Sequence, residues 1–182
     1  MEVVRYTEAQ LFNFAFAHER NLELLDVLIS DFGLNVNWRK ANFYDTLLYQ
    51  SLKMDLKIAK YLISKGACVN ASLGGYPTDE NSHGNLSILD VTGDFMSLKD
   101  VGGANWLKQF GAISFEKLPA DKKDKIIATI DFTTEASSTT YISRTVDQVK
   151  LSQMSLSEKS RKSLDEFISN CRVETINTIK KR

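Results

Sequence analysis

Residues 45–70 limit the possible folds of this chain more than any other segment, because two apolar runs at helical spacing lie on either side of a short polar break. Leu47 and Leu48 begin the first run, and Gly66 follows the second. The second run contains Leu56, Ile58, Ala59, Leu62 and Ile63. A glycine after such a run commonly ends a helix, because it adopts the left-handed backbone conformation at little cost. The segment therefore predicts a hairpin of two short helices, each with one apolar side.

Similar patterns lie on both sides of this hairpin. Residues 21–37 repeat the second helix and its closing glycine, and Thr7 with Gln10 predicts a capping box at the start of an earlier helix. Residues 87–92 and 106–112 match the start and the end of a third hairpin. One hairpin of this kind cannot bury its apolar side alone, so we predict three stacked hairpins.

Over residues 45–70 the sequence resembles the ankyrin repeat without a gap, and it ends in Gly-Ala-Cys-Val-Asn where the repeat has Gly-Ala-Asp-x-Asn. The resemblance implies a mainly α fold in which residues 1–118 form an ankyrin-type helical-hairpin solenoid of about three divergent repeats. It also implies a loop insertion at residues 73–85, whose glycine, proline and asparagine content suits turns. Leu48 replaces the histidine that ties adjacent loops in the family, which predicts weaker hydrogen bonding between repeats.

The last third of the chain has a different charge balance, since residues 1–118 carry 11 basic and 14 acidic side chains whereas residues 119–182 carry 12 and 9. Two apolar lines run through this part at helical spacing, and Ser155 with Glu158 predicts a capping box between them. The lines consist of Ile142, Val146 and Val149 and of Leu164, Phe167, Ile168 and Cys171. We predict that residues 119–182 form a helical extension packed on the last repeat, because terminal repeats need a cap. A separate binding element and a small mixed domain are the alternatives.

The composition is that of a compact protein with a sizeable core, because 43% of its 182 residues are apolar. The formal net charge is zero, so nothing in the sequence calls for nucleic acid or an anionic membrane as a partner. No apolar run near the start has the length of a signal peptide or a membrane span, and we expect a cytoplasmic protein. In a reducing compartment Cys68 and Cys171 are expected to be packed thiols rather than a disulfide.

Few residues could support catalysis. His18 and His83 are the two histidines, and the sequence contains no metal-binding spacing, phosphate loop, dinucleotide fingerprint or nucleophile elbow. His83 with Cys68 is the one conceivable base and nucleophile, and an exposed loop histidine with a packed cysteine is the simpler interpretation. We therefore expect no enzyme activity, no cofactor and no metal site. A small enzyme with an unrecognised site is the alternative.

The resemblance to ankyrin repeats implies a surface that binds a partner protein, made by the inner helices and by the loops between repeats. Aromatic and arginine side chains in such places are common anchors of interfaces. Carried onto this sequence, the expected contact residues are Trp38, Arg39, Lys40, Tyr44, Tyr49, Lys53, Tyr76, Asp79 and Glu80. We expect the chain to inhibit or sequester its partner by binding it, as an immunity protein binds a toxin or an effector binds a host protein. An adaptor that uses the extension as a second surface is the alternative.

Overall fold

A computed structural model describes residues 2–40, 46–71, 87–92, 96–99, 101–121, 132–133 and 141–171. The described residues are mainly helical, which confirms the predicted class, and two short strand pairs accompany the helices. The chain divides into two compact units, Met1–Asn35 with Ala136–Arg182 and Val36–Glu135. This division differs from the boundary expected near residue 118, because the two ends of the chain belong to one unit.

In chain order the strands are β1 (Glu2–Thr7), β2 (Arg39–Lys40), β3 (Phe132–Thr133) and β4 (Tyr141–Val146). The helices are α1 (Glu8–Ala17), α2 (Leu22–Ser30), α3 (Leu47–Met54), α4 (Leu56–Ser64), α5 (Ile88–Val91), α6 (Met96–Lys99), α7 (Ala104–Lys108), α8 (Gln148–Gln153) and α9 (Glu158–Asn170). A turn of 3-10 helix covers Phe115–Lys117. β1 pairs with β4 in antiparallel orientation, and β2 pairs with β3 in parallel orientation.

The first unit contains β1, which no sequence pattern above predicts. Val4 and Tyr6 are fully buried, whereas Val3 and Arg5, which alternate with them, are exposed, as expected for a strand with one face on a core. Thr7 then ends the strand and caps α1, and its reciprocal hydrogen bonds with Gln10 confirm the predicted capping box.

The helix predicted over Ile142, Val146 and Val149 is wrong for most of its length, because residues 141–146 form β4. The β-branched side chains of Ile142, Thr145 and Val146 favour an extended backbone. Pairing with β1 then provides the hydrogen bonds that make the strand stable. α8 begins only after this strand, at Gln148.

Phe167 of α9 lies at the centre of an aromatic cluster in the first unit. Its ring centroid is 5.9 Å from that of Tyr6, 6.0 Å from that of Phe32 and 4.5 Å from that of Phe14, on which it stacks. The Tyr6 hydroxyl donates a hydrogen bond of 2.5 Å to the carbonyl of Phe32. This cluster therefore joins β1, α1, the turn after α2 and α9 in one core.

Polar contacts join the start of α9 to the start of α2. The Ser157 N–H donates to the Glu23 carboxylate at 3.0 Å, and the Asn21 side-chain amide donates to Ser160 Oγ at 2.6 Å. Ser157 caps α9 by accepting from the Ser160 N–H. The capping box predicted at Ser155 is therefore wrong, because the helix cap is Ser157, two residues later. The carboxylate that a local glutamate usually provides comes from Glu23 of α2 instead.

Cations from the C-terminal part of the same unit lie at the other end of α2. Lys150 forms an ion pair with Asp31, the residue that caps this end of the helix. Arg144 lies against Gly33, where an added Cβ atom would be 2.6 Å from its Nη2. Residues 141–171 thus pack on the first helical hairpin, and coverage of the last hairpin by the extension stays a prediction.

The second unit contains the hairpin of α3 and α4 that the apolar spacing predicted, and the prediction is confirmed. Thr46 caps α3 by accepting from the Tyr49 N–H at 3.1 Å, and Asp55 between the helices caps α4 by accepting from the Lys57 N–H at 2.8 Å. Gly66 follows α4 with a φ of 91°, as expected for a residue that ends a helix. The buried side of the hairpin consists of Leu47, Leu48, Ser51, Leu52, Ile58, Ala59 and Leu62.

The Asn37 side chain binds the backbone just after this hairpin. Its Nδ2 donates to the carbonyl of Gly66 at 3.0 Å, and its Oδ1 accepts from the Cys68 N–H at 2.7 Å. Both polar atoms of one amide thereby satisfy the turn that follows α4, so Asn37 fixes the path of a segment about thirty residues further along the chain.

Asn70 makes the same pair of hydrogen bonds later in the chain. Its Nδ2 donates to the carbonyl of Gly111 at 3.1 Å, and its Oδ1 accepts from the Ile113 N–H at 2.8 Å. The bonds of Asn37 span 29 and 31 residues and those of Asn70 span 41 and 43, so the second pair encloses 12 more residues. The same pair of hydrogen bonds therefore recurs in the second unit, with more residues between the asparagine and the backbone that it binds.

Candidate functional site

The structure corrects one of the expected contact residues. Trp38 is only 1% exposed, because its large ring is part of the core, so the expectation that it projects towards a partner is wrong. Arg39 and Lys40 form β2, paired with Phe132 and Thr133. The remaining loop residues, Tyr44, Tyr76, Asp79 and Glu80, and the insertion expected at residues 73–85 lie outside the described residues.

Tyr49 and Lys53 are the two expected contact residues that the structure brings together. They are four residues apart on α3, and the Lys53 Nζ lies 4.0 Å from the centroid of the Tyr49 ring. Lys53 is exposed and Tyr49 is half-buried. Such a contact contributes about 0.5–1 kcal/mol at an exposed site, so it orients the ammonium group without removing it from solvent.

The second helix of the hairpin repeats this arrangement. Tyr61 and Lys65 are also four residues apart, and the Lys65 Nζ lies 5.3 Å from the centroid of the Tyr61 ring. Lys65 is exposed and Tyr61 is half-buried. This pair is not among the contact residues expected from the sequence, although it has the same spacing of tyrosine and lysine as the pair on α3.

Two further lysines make the hairpin strongly basic. Lys57 and Lys60 are exposed on α4, and neither side chain has an ion-pair partner among the residues that the structure describes. Residues 46–71 carry four lysines and a single acidic residue, Asp55, whose carboxylate caps α4. We call residues 46–71 the lysine hairpin; its net charge is +3. By contrast, residues 8–31 around the first hairpin carry five acidic side chains and one basic side chain.

A groove of about 720 Å³ lies in the first unit, between the α1–α2 turn and the start of α9. His18, Glu23, Ser157 and Lys159 are among its lining residues. Burial, followed by the charge of Lys159, lowers the pKa of His18. Glu23 and Ser157, which also line the groove, both take part in capping α9.

Cys68 and Cys171 are free thiols, the first half-buried and the second buried. Burial raises the pKa of both thiols, so both are protonated and poorly nucleophilic at neutral pH. The base considered for Cys68, His83, lies outside the described residues. Cys68 is therefore a half-buried thiol, and its backbone N–H donates a hydrogen bond to Asn37 Oδ1.

Within the described ranges, no group of three or more histidine, cysteine, aspartate or glutamate side chains is placed to hold a metal ion. The helices in the part of the chain that the structure describes are too short or too polar to cross a bilayer. Comparisons with protein-family models, with curated proteins and with solved structures find no match to this chain. The lysine hairpin is therefore the candidate functional site on its own physical properties.

Proposed function

We propose that this chain is a non-enzymatic protein-binding module of the ankyrin-repeat type that binds an acidic surface of a partner protein through the lysine hairpin. Binding of this kind would inhibit or sequester the partner in the cytoplasm. The observation that carries the proposal is the charge of the lysine hairpin, four lysines against one carboxylate that is already used as a helix cap.

The repeat architecture is supported by the matching hydrogen bonds of Asn37 and Asn70. Each asparagine follows a helical hairpin and binds the turn that ends the next one, which is a way to stack successive hairpins at a fixed spacing. The 12 additional residues enclosed by the Asn70 bonds agree with an insertion between the second and third repeats. Such stacked arrays present extended surfaces that commonly bind other proteins.

The chemistry of the lysine hairpin favours an acidic protein surface. Lysines increase the rate of association with a partner of opposite charge, and their effect depends on ionic strength. Tyr49 and Tyr61 lie directly beside two of the lysines and offer apolar area with a polar end, a composition typical of interface anchors. A net charge of zero and an acidic first hairpin disfavour a nucleic acid, which attracts proteins with a basic face over a whole domain.

The proposal is tested by affinity capture with the tagged full chain from an extract of its source organism, followed by elution with increasing salt. A variant in which Lys53, Lys57 and Lys60 are changed to Glu serves as the comparison. We expect at least one acidic protein that the wild type retains at low salt, that salt elutes and that the variant fails to retain. Retention of the same proteins by the wild type and the variant would contradict the proposed site.

A further inference from the structure

Within the part of the chain that the structure describes, the strand β4 has one edge that is paired and one edge that is open. β4 pairs with β1 along Tyr141–Val146, and among the described residues no other strand lies beside it. Its sequence contains three β-branched residues and neither glycine nor proline. Such an edge is a template for pairing with another strand, because its backbone N–H and C=O groups lack hydrogen-bond partners in the sheet.

The hydrogen bonds of β1 show which residues of β4 face the open edge. The Arg5 N–H donates to the carbonyl of Cys171 at 3.1 Å, so the backbone groups of Arg5 point away from β4. Arg5 is opposite Ser143 in the pair. At such a position of an antiparallel pair, the backbone N–H and C=O groups of both residues point away from the partner strand. The N–H and C=O groups on the open edge of β4 are therefore those of Tyr141, Ser143 and Thr145.

We infer that β4 pairs with β4 of a second copy of this chain, in antiparallel orientation about a two-fold axis at Ser143, to give a four-stranded sheet. The hydrogen bonds require that residues of the open edge face one another across the axis. A register centred on Ser143 pairs all three open-edge residues, whereas registers centred on Ile142 or on Arg144 each pair only two of them. The register centred on Arg144 also places two Arg144 side chains directly opposite each other, which is destabilising, whereas the one centred on Ser143 places Arg144 opposite Ile142.

The charges and the side chains suit a second copy as the occupant. The formal net charge is zero, so two copies do not repel each other as whole molecules. In the register centred on Ser143, the Tyr141 side chain, 52% exposed in one chain, lies opposite Thr145 of the other chain. Pairs of an aromatic and a β-branched residue across neighbouring strands stabilise a sheet. Arg5, whose guanidinium lies 4.5 Å from the Tyr141 ring centroid, holds this ring on the outer face.

Disulfide formation by introduced cysteines tests the axis. In a Ser143→Cys variant the two new cysteines are directly opposite, with Cα atoms about 5.5 Å apart, which a disulfide can bridge. The matched control is Thr145→Cys on the same edge, whose two copies are displaced by four residues or about 14 Å along the strands and cannot be bridged. Both variants retain Cys68 and Cys171, so the rate at which the wild type forms disulfide-linked dimers gives the background from these two cysteines.

We expect Ser143→Cys to give a disulfide-linked dimer at least about tenfold faster than Thr145→Cys under mild oxidation, and the wild type to be dimeric by sedimentation. A Ser143→Pro variant removes the N–H that faces the open edge and no N–H that bonds to β1, so it should be monomeric with its β1 pairing intact. Equal oxidation rates for the two cysteine variants, or a wild type that stays monomeric at high protein concentration, would overturn the inference.

Discussion

Asn70 makes the same two backbone hydrogen bonds as Asn37, one hairpin later in the chain. In both cases the amide nitrogen binds the carbonyl of the glycine that ends a helix, and the amide oxygen binds the N–H two residues further on. The recurrence matters because it depends on one side chain of the right shape at each position. It links a local sequence signal, an asparagine after a helical segment, to the path of the backbone after α4 and after α7 in the second unit.

Removal of either asparagine should therefore destabilise the protein. Asn37→Ala leaves the Gly66 carbonyl and the Cys68 N–H without their partner, and we expect a loss of about 1–3 kcal/mol in the free energy of unfolding. Asn70→Ala should have a loss of similar size. Chemical denaturation measures both, and Asn13→Ala on the exposed side of α1 is the control, with an expected change within about 0.5 kcal/mol. If Asn37→Ala also changed the free energy of unfolding by no more than about 0.5 kcal/mol, the Asn37 amide would not be needed for stability.

The core of the lysine hairpin gives a second prediction. Leu62 is 1% exposed on α4, so Leu62→Ala should lower the free energy of unfolding by about 2–5 kcal/mol through lost burial and a residual cavity. Lys60→Ala, an exposed position on the same helix, should change it by less than about 0.5 kcal/mol. Urea titration of both variants measures the difference. Equal losses would contradict the assignment of the buried side of α4.

Tyr6 predicts a dependence of stability on alkaline pH. Burial raises the pKa of Tyr6 from 10.0 to about 12, despite the nearby Arg144 guanidinium. The folded state therefore holds the hydroxyl proton more tightly than the unfolded state, and this contribution to stability is complete below pH 10 and disappears as the pH rises towards 12. The free energy of unfolding should fall more steeply across that window for the wild type than for Tyr6→Phe. If the free energy of unfolding fell equally steeply with pH for both proteins, Tyr6 would not be the cause of the pH dependence.

Gly33 gives a prediction about the contact between β4 and the end of α2. Gly33→Ala forces an alanine into a φ of 74° and places its Cβ 2.6 Å from the Arg144 Nη2. Gly111→Ala is the matched control, because its φ is 83° but no atom lies within 4 Å of the added Cβ. The atoms that the added Cβ meets belong to the flexible end of the Arg144 side chain and can move, so we expect only a slightly greater loss of thermal stability for Gly33→Ala, and we expect an Arg144→Ala background to remove the difference. If Gly33→Ala still lost more thermal stability than Gly111→Ala in the Arg144→Ala background, contact with Arg144 would not be the cause of the loss.

Local signals in the sequence predict the local structure correctly. The spacing of Leu47, Leu48 and Leu62, with Gly66 after them, predicts the α3–α4 hairpin, and the Thr7 capping box was visible within four residues. Such signals fail where distant residues decide the outcome. β1 and β4 depend on each other across more than 130 residues, and Ser157 caps α9 with the help of Glu23.

The candidate site was only partly predictable for a similar reason. Tyr49 and Lys53 follow from their places on an inner helix, and the equivalent spacing of Tyr61 and Lys65 could have been recognised in the sequence. Trp38 could not be assigned correctly, because a tryptophan in a connecting segment has the same sequence signal whether its ring is buried or exposed.

The affinity for a captured partner tests the central claim most directly. The dissociation constant should be compared for the wild type, for a Lys57→Glu and Lys60→Glu variant of the lysine hairpin, and for a matched Lys159→Glu and Lys162→Glu variant of α9, whose two lysines are also exposed. We expect the hairpin variant to bind at least about tenfold more weakly, equivalent to about 1.4 kcal/mol, with an unchanged melting temperature, and the α9 variant to bind like the wild type. Equal affinity of the hairpin variant and the wild type would contradict the account.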